Sequence, residues 1–383
     1  MIKDLVFHIG DPKNGSTAIQ KALQARAWQC ATVSIQPQPE LNASALASSI
    51  RDTPDAEKRA AQFARKARWA EVHDADLGIV SAEFFEGVPP GALRDALEEF
   101  LPAQAPRARV IAYARPHASR LLSGFSQRIR SGGAVEPMEA YAQAMQQRGT
   151  LFYAARFGGW REVFGARFTL RPFLREELLG GDVTEDFFRT VLGDTPVTLE
   201  RLPSTNETLM LEELAGLGLV QSVLSARGIP AYLRLSIGGA VGRGMSGIAT
   251  RSSERVTLTR AVAEAAQEAY AEDARAVDAE FFGRPIMAPA LERATEGTLA
   301  TPQPLEAEAS FDAAAVAELR AIGEKIATEL TARPHAWRST YQRRIGQKVE
   351  ENGRMGFAQK RSAKRVWAAL DRLCALLATG RLR

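Results

Sequence analysis

Residues Gly10-Asp11-Pro12-Lys13-Asn14-Gly15-Ser16-Thr17 set one lysine and two hydroxyls in a glycine-framed turn, directly after the apolar run Leu5-Val6-Phe7-His8-Ile9. Such a turn can aim consecutive backbone N–H groups at an anion, and the positive end of a helix starting near Ser16 adds to the attraction. The stretch Ala18-Ile19-Gln20-Lys21-Ala22-Leu23 has the apolar spacing of a helix that packs back on a sheet. The expected unit is strand, anion cradle, helix. It approaches the pattern G-x-x-x-x-G-K-[ST], with Gly10 and Gly15 in place, but Ser16 stands where the lysine belongs and Lys13 lies inside the loop. A nucleoside triphosphatase also needs magnesium, usually held by an acidic residue that ends a second strand. The best candidate for that strand, Ala108-Arg109-Val110-Ile111-Ala112-Tyr113-Ala114, ends in Arg115, which repels a cation and attracts a phosphate. A nucleotide bound without metal is therefore expected.

Chemistry on a hydroxyl also requires a base. Glu83, in Leu77-Gly78-Ile79-Val80-Ser81-Ala82-Glu83-Phe84-Phe85, follows a buried strand, and ligands of parallel sheets collect at the carboxyl ends of strands. Two neighbouring phenylalanines are expected to desolvate the carboxyl and raise its pKa toward the range useful for proton abstraction. The structural alternative is a glutamate that caps the next helix or pairs with an arginine. His8, at the end of the first strand, is the second candidate for base, with a core histidine as its alternative; His73 and His117 read as loop histidines. The four histidines and two cysteines have no ligand spacing, so no structural zinc is expected.

Pro12-Lys13-Asn14-Gly15-Ser16-Thr17 resembles the 5′-phosphosulfate loop of sulfotransferases, P-K-x-G-[ST]-[ST], whose donor is 3′-phosphoadenosine 5′-phosphosulfate. Arg115-Pro116-His117-Ala118-Ser119-Arg120-Leu121-Leu122-Ser123 is similar to the same family's 3′-phosphate motif, a strand-terminal arginine followed eight residues on by a serine opening a helix. Ser123 to Gln127 resembles its S-x-[YF]-x-Q segment, and Phe157 to Gly165 its tryptophan helix. The likeness runs to Gly193, thins toward Pro285 and then stops; Asn14, where a small or hydroxyl residue is commoner, and His117, where proline is common, depart from the pattern. The resemblance implies a donor held at its 5′ end by the N–H groups of Asn14, Gly15, Ser16 and Thr17 and the hydroxyls of the last two. Its 3′ end would be held by Arg115 and Ser123. Lys13 would meet charge developing on the bridging oxygen, since sulfuryl transfer, like phosphoryl transfer, rests on in-line positioning and stabilisation of the leaving group. Arg243, between Gly242 and Gly244, is a further loop candidate for the 3′-phosphate, with an ordinary surface loop as its alternative.

These residues need an α/β scaffold. Strands are expected near 4–9, 31–36, 77–82, 108–114 and 167–172 with helices between them, a P-loop-like three-layer core around a parallel sheet. Residues 38–75 read as a helical insertion, a candidate part of an acceptor lid. The chain is expected to be helical from Leu209, interrupted at Gly238 to Gly244. The domain reading is an α/β domain over 1–294, a linker at 295–310, and a basic helical extension over 311–383.

Charge is localised. Of the net +4 over 383 residues, the stretch from Arg338 onward holds twelve basic and three acidic side chains, which is +9 and leaves −5 for the rest. Val366, Trp367, Leu370, Leu373 and Leu377 give that stretch an apolar helical face. It is either a helix docked on its own domain or a contact for an anionic surface such as lipid headgroups or an acidic glycan; without a nucleic-acid motif, DNA or RNA is not the expected partner. No apolar run approaches the ~20 residues that cross a bilayer, and no signal-peptide pattern opens the chain. Cys30 and Cys374 suggest no disulfide framework. The expectation is a cytoplasmic bacterial enzyme, peripheral to the inner membrane face if the tail binds lipid, with the sequons at Asn14, Asn42 and Asn206 occurring by chance. The acceptor would be a glycan, a lipid-linked molecule or a small molecule. A P-loop kinase or nucleotide hydrolase, and a noncatalytic nucleotide-binding module, are the alternative readings.

Overall fold

The computed structural model describes residues 1–51, 56–133, 135–202, 208–249, 254–345 and 355–379. Asn206, and from the basic tail Lys348, Glu350, Glu351, Arg354, Arg381 and Arg383, lie outside the described residues. By mutual contact the chain gathers into two compact units, one of residues 1–120, 145–203 and 265–294, the other of 121–144, 204–264 and 295–383.

Among the described residues the first unit holds seven strands: β1 (Ile2–His8), β2 (Trp28–Gln29), β3 (Ile35–Pro37), β4 (Ala75–Ser81), β5 (Arg109–Ala114), β6 (Phe168–Pro172) and β7 (Thr198–Leu199). Five of them form a parallel sheet in the order β3-β4-β1-β5-β6, with Val6 opposite Ile79 on one side and Arg109 on the other. The near-continuous apolar runs of β1, β4 and β5 follow from this arrangement, because a parallel strand covered on both faces has no polar side to show. The helices met first along the chain are α1 (Ser16–Ala25), α2 (Ser44–Arg51), α3 (Ala56–Val72), α4 (Pro90–Phe100), α5 (His117–Arg130), α6 (Met138–Gln147), α7 (Tyr153–Phe164) and α8 (Val183–Leu192). One sheet face buries Val6, Ile79, Ile111 and Tyr113 against Ile19 and Leu23 of α1 and Phe187 and Phe188 of α8. On the other face Phe7 meets Phe85 edge-on at 5.7 Å, Gly78 lies under Trp69 of α3, and Phe157 of α7 stacks on Phe168 at 6.1 Å. The result is the expected three-layer core. The antiparallel pair β2 and β7 was not legible in the sequence, since two residues per strand leave no periodicity to read.

Strand order places the site. From central β1 the chain goes out to β3 and back to β4, then crosses to β5 and β6 on the opposite side of β1. The loops that leave β1, β4 and β5 therefore converge at the carboxyl edge, where connections part to either side and a ligand crevice forms.

The remaining helices are α9 (Leu211–Ala226), α10 (Ala231–Ser246), α11 (Arg260–Val277), α12 (Met287–Glu292), α13 (Ala313–Ala332), α14 (Pro334–Arg344) and α15 (Phe357–Thr379). In the second unit α9 is apolar nearly all round, with Leu214, Leu217, Val220 and Leu224 fully enclosed, as a central helix must be. A Cβ at Gly216 of α9 would stand 2.4 Å from Leu377 and 3.1 Å from Phe311. Helices α13, α14 and α15 thus pack with α9 and α10 within the second unit, where the sequence analysis expected a linker at 295–310 and a separate extension. The glycine run Gly238 to Gly244 does not interrupt α10 either. Its glycines permit close approach: a Cβ at Gly238 would fall 1.7 Å from the Arg130 carbonyl oxygen and one at Gly244 2.7 Å from Cys374 Sγ. Arg243 accordingly lies on a helix, over the Tyr341 ring at 4.8 Å, and is not a loop residue.

Candidate functional site

The chain leaves β1 through three left-handed residues, Gly10 (φ 61°), Lys13 (φ 74°) and Gly15 (φ 78°). Neither glycine is replaceable by a residue with a side chain. A Cβ at Gly10 would stand 2.8 Å from the Glu83 Cα, and one at Gly15 the same distance from Val183 Cγ1. Gly15 is the N-cap of α1 and supplies no side-chain cap, so the N–H groups of Ser16 and Thr17, first in the helix, have no helical acceptor. Ser16 is buried, Lys13 half-buried and Thr17 exposed.

The Asn14 N–H donates to the Asp11 carbonyl at 3.3 Å, and its buried side-chain amide donates to the Tyr113 carbonyl and to Asp11 Oδ2. The residue therefore ties the turn to the end of β5, with both its N–H and its side-chain amide engaged within the protein. Asn14→Ala, leaving the buried Tyr113 carbonyl without this donor, is expected to cost about 1–3 kcal/mol of stability, measured by urea unfolding.

Glu83 opens a 3-10 turn, Glu83–Gly87, directly after β4, and lies against the β1 turn beside Ser16 and Lys13. Its pKa is raised, first by burial and then by Asp11, while Lys13, Arg120 and the Ser16 hydroxyl pull it down. The desolvating neighbours are not the two adjacent phenylalanines. Phe84 is exposed beneath Arg51 at 5.0 Å and Phe85 points into the sheet core; the β1 turn covers the carboxyl instead.

Three residues on, Glu86 accepts from Arg156 Nη1 at 2.8 Å, and the same nitrogen donates to Asp11 at 3.0 Å. Burial and the nearby Asp11 push Glu86 up to about 8. Between the ordinary value of 4.5 and that of about 8, the folded state keeps a proton that the unfolded state has lost. Stability from this group is thus full at low pH and lost as pH rises through that interval. Glu86→Gln keeps a neutral donor and acceptor in place, so its Tm is expected to fall less than the wild type's between about pH 5 and 8; parallel melting curves would contradict this.

Arg115 follows β5 as expected. Its guanidinium lies over the Phe173 ring at 4.7 Å, and burial together with Arg120 lowers its pKa to about 10. Ser123 does not open a helix: α5 begins at His117, after Pro116 has fixed the entry, and Ser123 sits in its second turn, half-buried. Ser123 belongs to the second unit, whereas the turn after β1, Glu83 and Arg115 belong to the first.

The turn thus gathers Lys13, Glu83 and Arg115 with five residues the sequence analysis left without a role: Asp11, Glu86, Arg120, Tyr153 and Arg156. Arg120 Nε lies 3.7 Å from Asp11. Arg156 stacks on Tyr153 and Phe157 at 5.2 and 4.6 Å. Asp11 sat inside the glycine-framed turn, Arg120 inside the Arg115–Ser123 motif, and Arg156 one residue before the tryptophan-helix segment, so proximity to the motifs was the available signal.

The histidines take structural places. His8 is fully buried, its Nδ1 2.8 Å from Ser81 Oγ, and burial drives its pKa down to about 3. That makes it a weak base, its second-choice assignment notwithstanding. His117 is no loop residue: it begins α5 fully buried, with Nε2 2.8 Å from Asp273 and its ring stacked on Tyr270 at 5.1 Å. His73 does lie in a loop, with Nδ1 2.8 Å from the Trp69 carbonyl oxygen. Among the described residues no group of three or more His, Cys, Asp or Glu is arranged to hold a metal ion, and no helix is long and apolar enough to cross a membrane.

No family model matches this chain, and no curated protein does. Among solved structures it is similar to the sulfotransferase from Alicyclobacillus acidocaldarius, at 15% identity and a TM-score of 0.42, over 76% of this chain and 100% of that one.

Proposed function

We propose that this protein is a sulfotransferase that moves a sulfuryl group from 3′-phosphoadenosine 5′-phosphosulfate to an acceptor hydroxyl or amine. The observation that carries this reading is that Lys13, Glu83 and Arg115 follow three adjacent parallel strands, β1, β4 and β5, at their carboxyl ends, with Asp11 and Arg120 as charged neighbours common to Glu83 and Arg115. The residues fit a polyanionic nucleotide. The N–H groups of Ser16 and Thr17 lack a helical acceptor, and the buried Tyr153 hydroxyl and the Nε and Nη2 of Arg156 have no hydrogen-bond partner among the described residues.

Ser16, Thr17 and Lys13 would hold the 5′ phosphosulfate end, and Arg115 the 3′-phosphate. The donor supplies a sulfuryl group whose bond to the bridging oxygen breaks as one to the acceptor forms. Lys13 faces the leaving-group charge from a backbone conformation fixed by the turn, so little reorganisation is needed when that charge appears. Glu83, ionised, takes the acceptor proton; its raised pKa makes it a stronger base than an exposed glutamate. Asp11 holds Arg156 and Arg120 beside the turn and is a positioning residue.

The test is transfer of radiolabelled sulfate from the donor into glycan, lipid and small-molecule fractions of a cell extract. The expected result is a labelled product formed one for one with adenosine 3′,5′-bisphosphate and unchanged by a magnesium chelator. Label that stays on the donor throughout, while ATP loses its γ-phosphate, would overturn the reading in favour of a kinase or hydrolase.

A further inference from the structure

α15 has two unlike faces. Val366, Leu370, Leu373 and Leu377 are buried within the second unit, and Arg365 and Arg372 on its flank pair with Glu329 and Glu318 of α13. The outward face carries Lys360, Arg361 and Lys364, and neighbouring α14, joined to it by the Trp337–Trp367 contact at 4.9 Å, adds Arg338, Arg343 and Arg344, all exposed. Asp371 is the only acidic side chain in the two helices.

This placement works against local helix stability. Lys360, Arg361 and Lys364 occupy the first two turns of α15, where the helix dipole disfavours cations, and no acidic residue stands in the first turn to compensate. At the first position of the same helix Phe357 is 81% exposed, a large apolar ring set among cations. Basic side chains around a projecting aromatic suit a surface that offers negative charge outside and hydrocarbon just beneath.

We infer that the outward face of α14 and α15 docks on an anionic phospholipid bilayer, with Phe357 entering the headgroup boundary. Nucleic acid is the less suitable partner for this face. Trp337 is buried and Trp367 is capped by Arg344 at 4.0 Å, and Phe357 alone does not make the series of platforms on which successive bases stack.

Truncation cannot test this, because α15 supplies core side chains to its own unit; substitutions of exposed residues can. Full-length protein is mixed with vesicles of phosphatidylcholine alone or of phosphatidylcholine with phosphatidylglycerol, then sedimented. Binding is expected only to the mixed vesicles and is expected to weaken as salt shortens the screening length. The triple variant K360Q/R361Q/K364Q is expected to bind roughly a hundredfold more weakly, at about fivefold per basic residue lost, with a melting temperature equal to or above the wild type's. F357A is expected to weaken binding severalfold. Equal binding to both vesicle types, a triple variant that binds as well as wild type, or displacement of the protein from mixed vesicles by duplex or single-stranded DNA would overturn the inference. Donor affinity of these variants is expected to equal the wild type's, so this outcome and that of the proposed activity are read separately.

Discussion

Replacing Lys13 with alanine is expected to lower kcat about 10²–10³-fold, the usual loss when one preorganised group that meets transition-state charge is removed. Affinity for adenosine 3′,5′-bisphosphate should change far less, because the N–H groups at the start of α1 and the Arg115 guanidinium remain. That split identifies a residue whose interaction strengthens during the reaction; one that only anchored the nucleotide would lose binding and turnover together. Lys13 is also the one non-glycine residue of the turn in the left-handed region, so the alanine variant's melting temperature belongs beside the kinetics. Unchanged turnover in a folded variant would remove Lys13 from the mechanism.

Glu83→Gln is expected to cost about 10²–10⁴ in kcat, the range for loss of a positioned general base, and to change the shape of the pH profile. The working form of Glu83 is the carboxylate, and its pKa is raised by burial, so wild-type activity rises with pH through that raised value and the glutamine variant lacks this limb. Stability runs the other way. A carboxyl whose folded pKa lies above its unfolded one contributes stability that is present at low pH and lost as pH rises through the folded value. Glutamine, which never ionises, therefore gives nothing away at high pH. A purely structural Glu83 would show as a lowered melting temperature in the variant with an acid limb that survives.

The α/β class and the positions of β1, β4 and β5 were legible because uninterrupted apolar runs such as Leu77 to Val80 and Val110 to Ala114 are what sheet burial on both faces demands. Lys13, Arg115 and Glu83 were legible for a related reason: each follows such a run, and that is where a parallel sheet presents its loops. What could not be read was direction. Asn14 lies in the motif, yet its amide turns inward to Tyr113; nothing in its neighbours along the chain encodes a partner 99 residues away. The same limit hid Arg156 and Glu86, whose meeting at Asp11 depends on α7 and the turn after β4 arriving at one place. Glycine misled in the opposite sense. Gly238 to Gly244 reads as a loop, but in α10 these residues are small so that α15, the Arg130 carbonyl and Tyr341 can come close.

The central claim is that the turn after β1 and the arginine after β5 hold one adenosine nucleotide phosphorylated at both its 3′ and 5′ positions. Calorimetric titration of the full chain with adenosine 3′,5′-bisphosphate, ADP and ATP, with and without magnesium, tests it most directly. The bisphosphate is expected to bind at least roughly tenfold more tightly than ADP, a difference of about 1.4 kcal/mol, to be indifferent to magnesium, and to lose that advantage in Arg115→Ala. Equal affinity for ADP, or an ATP affinity that depends on magnesium, would contradict it.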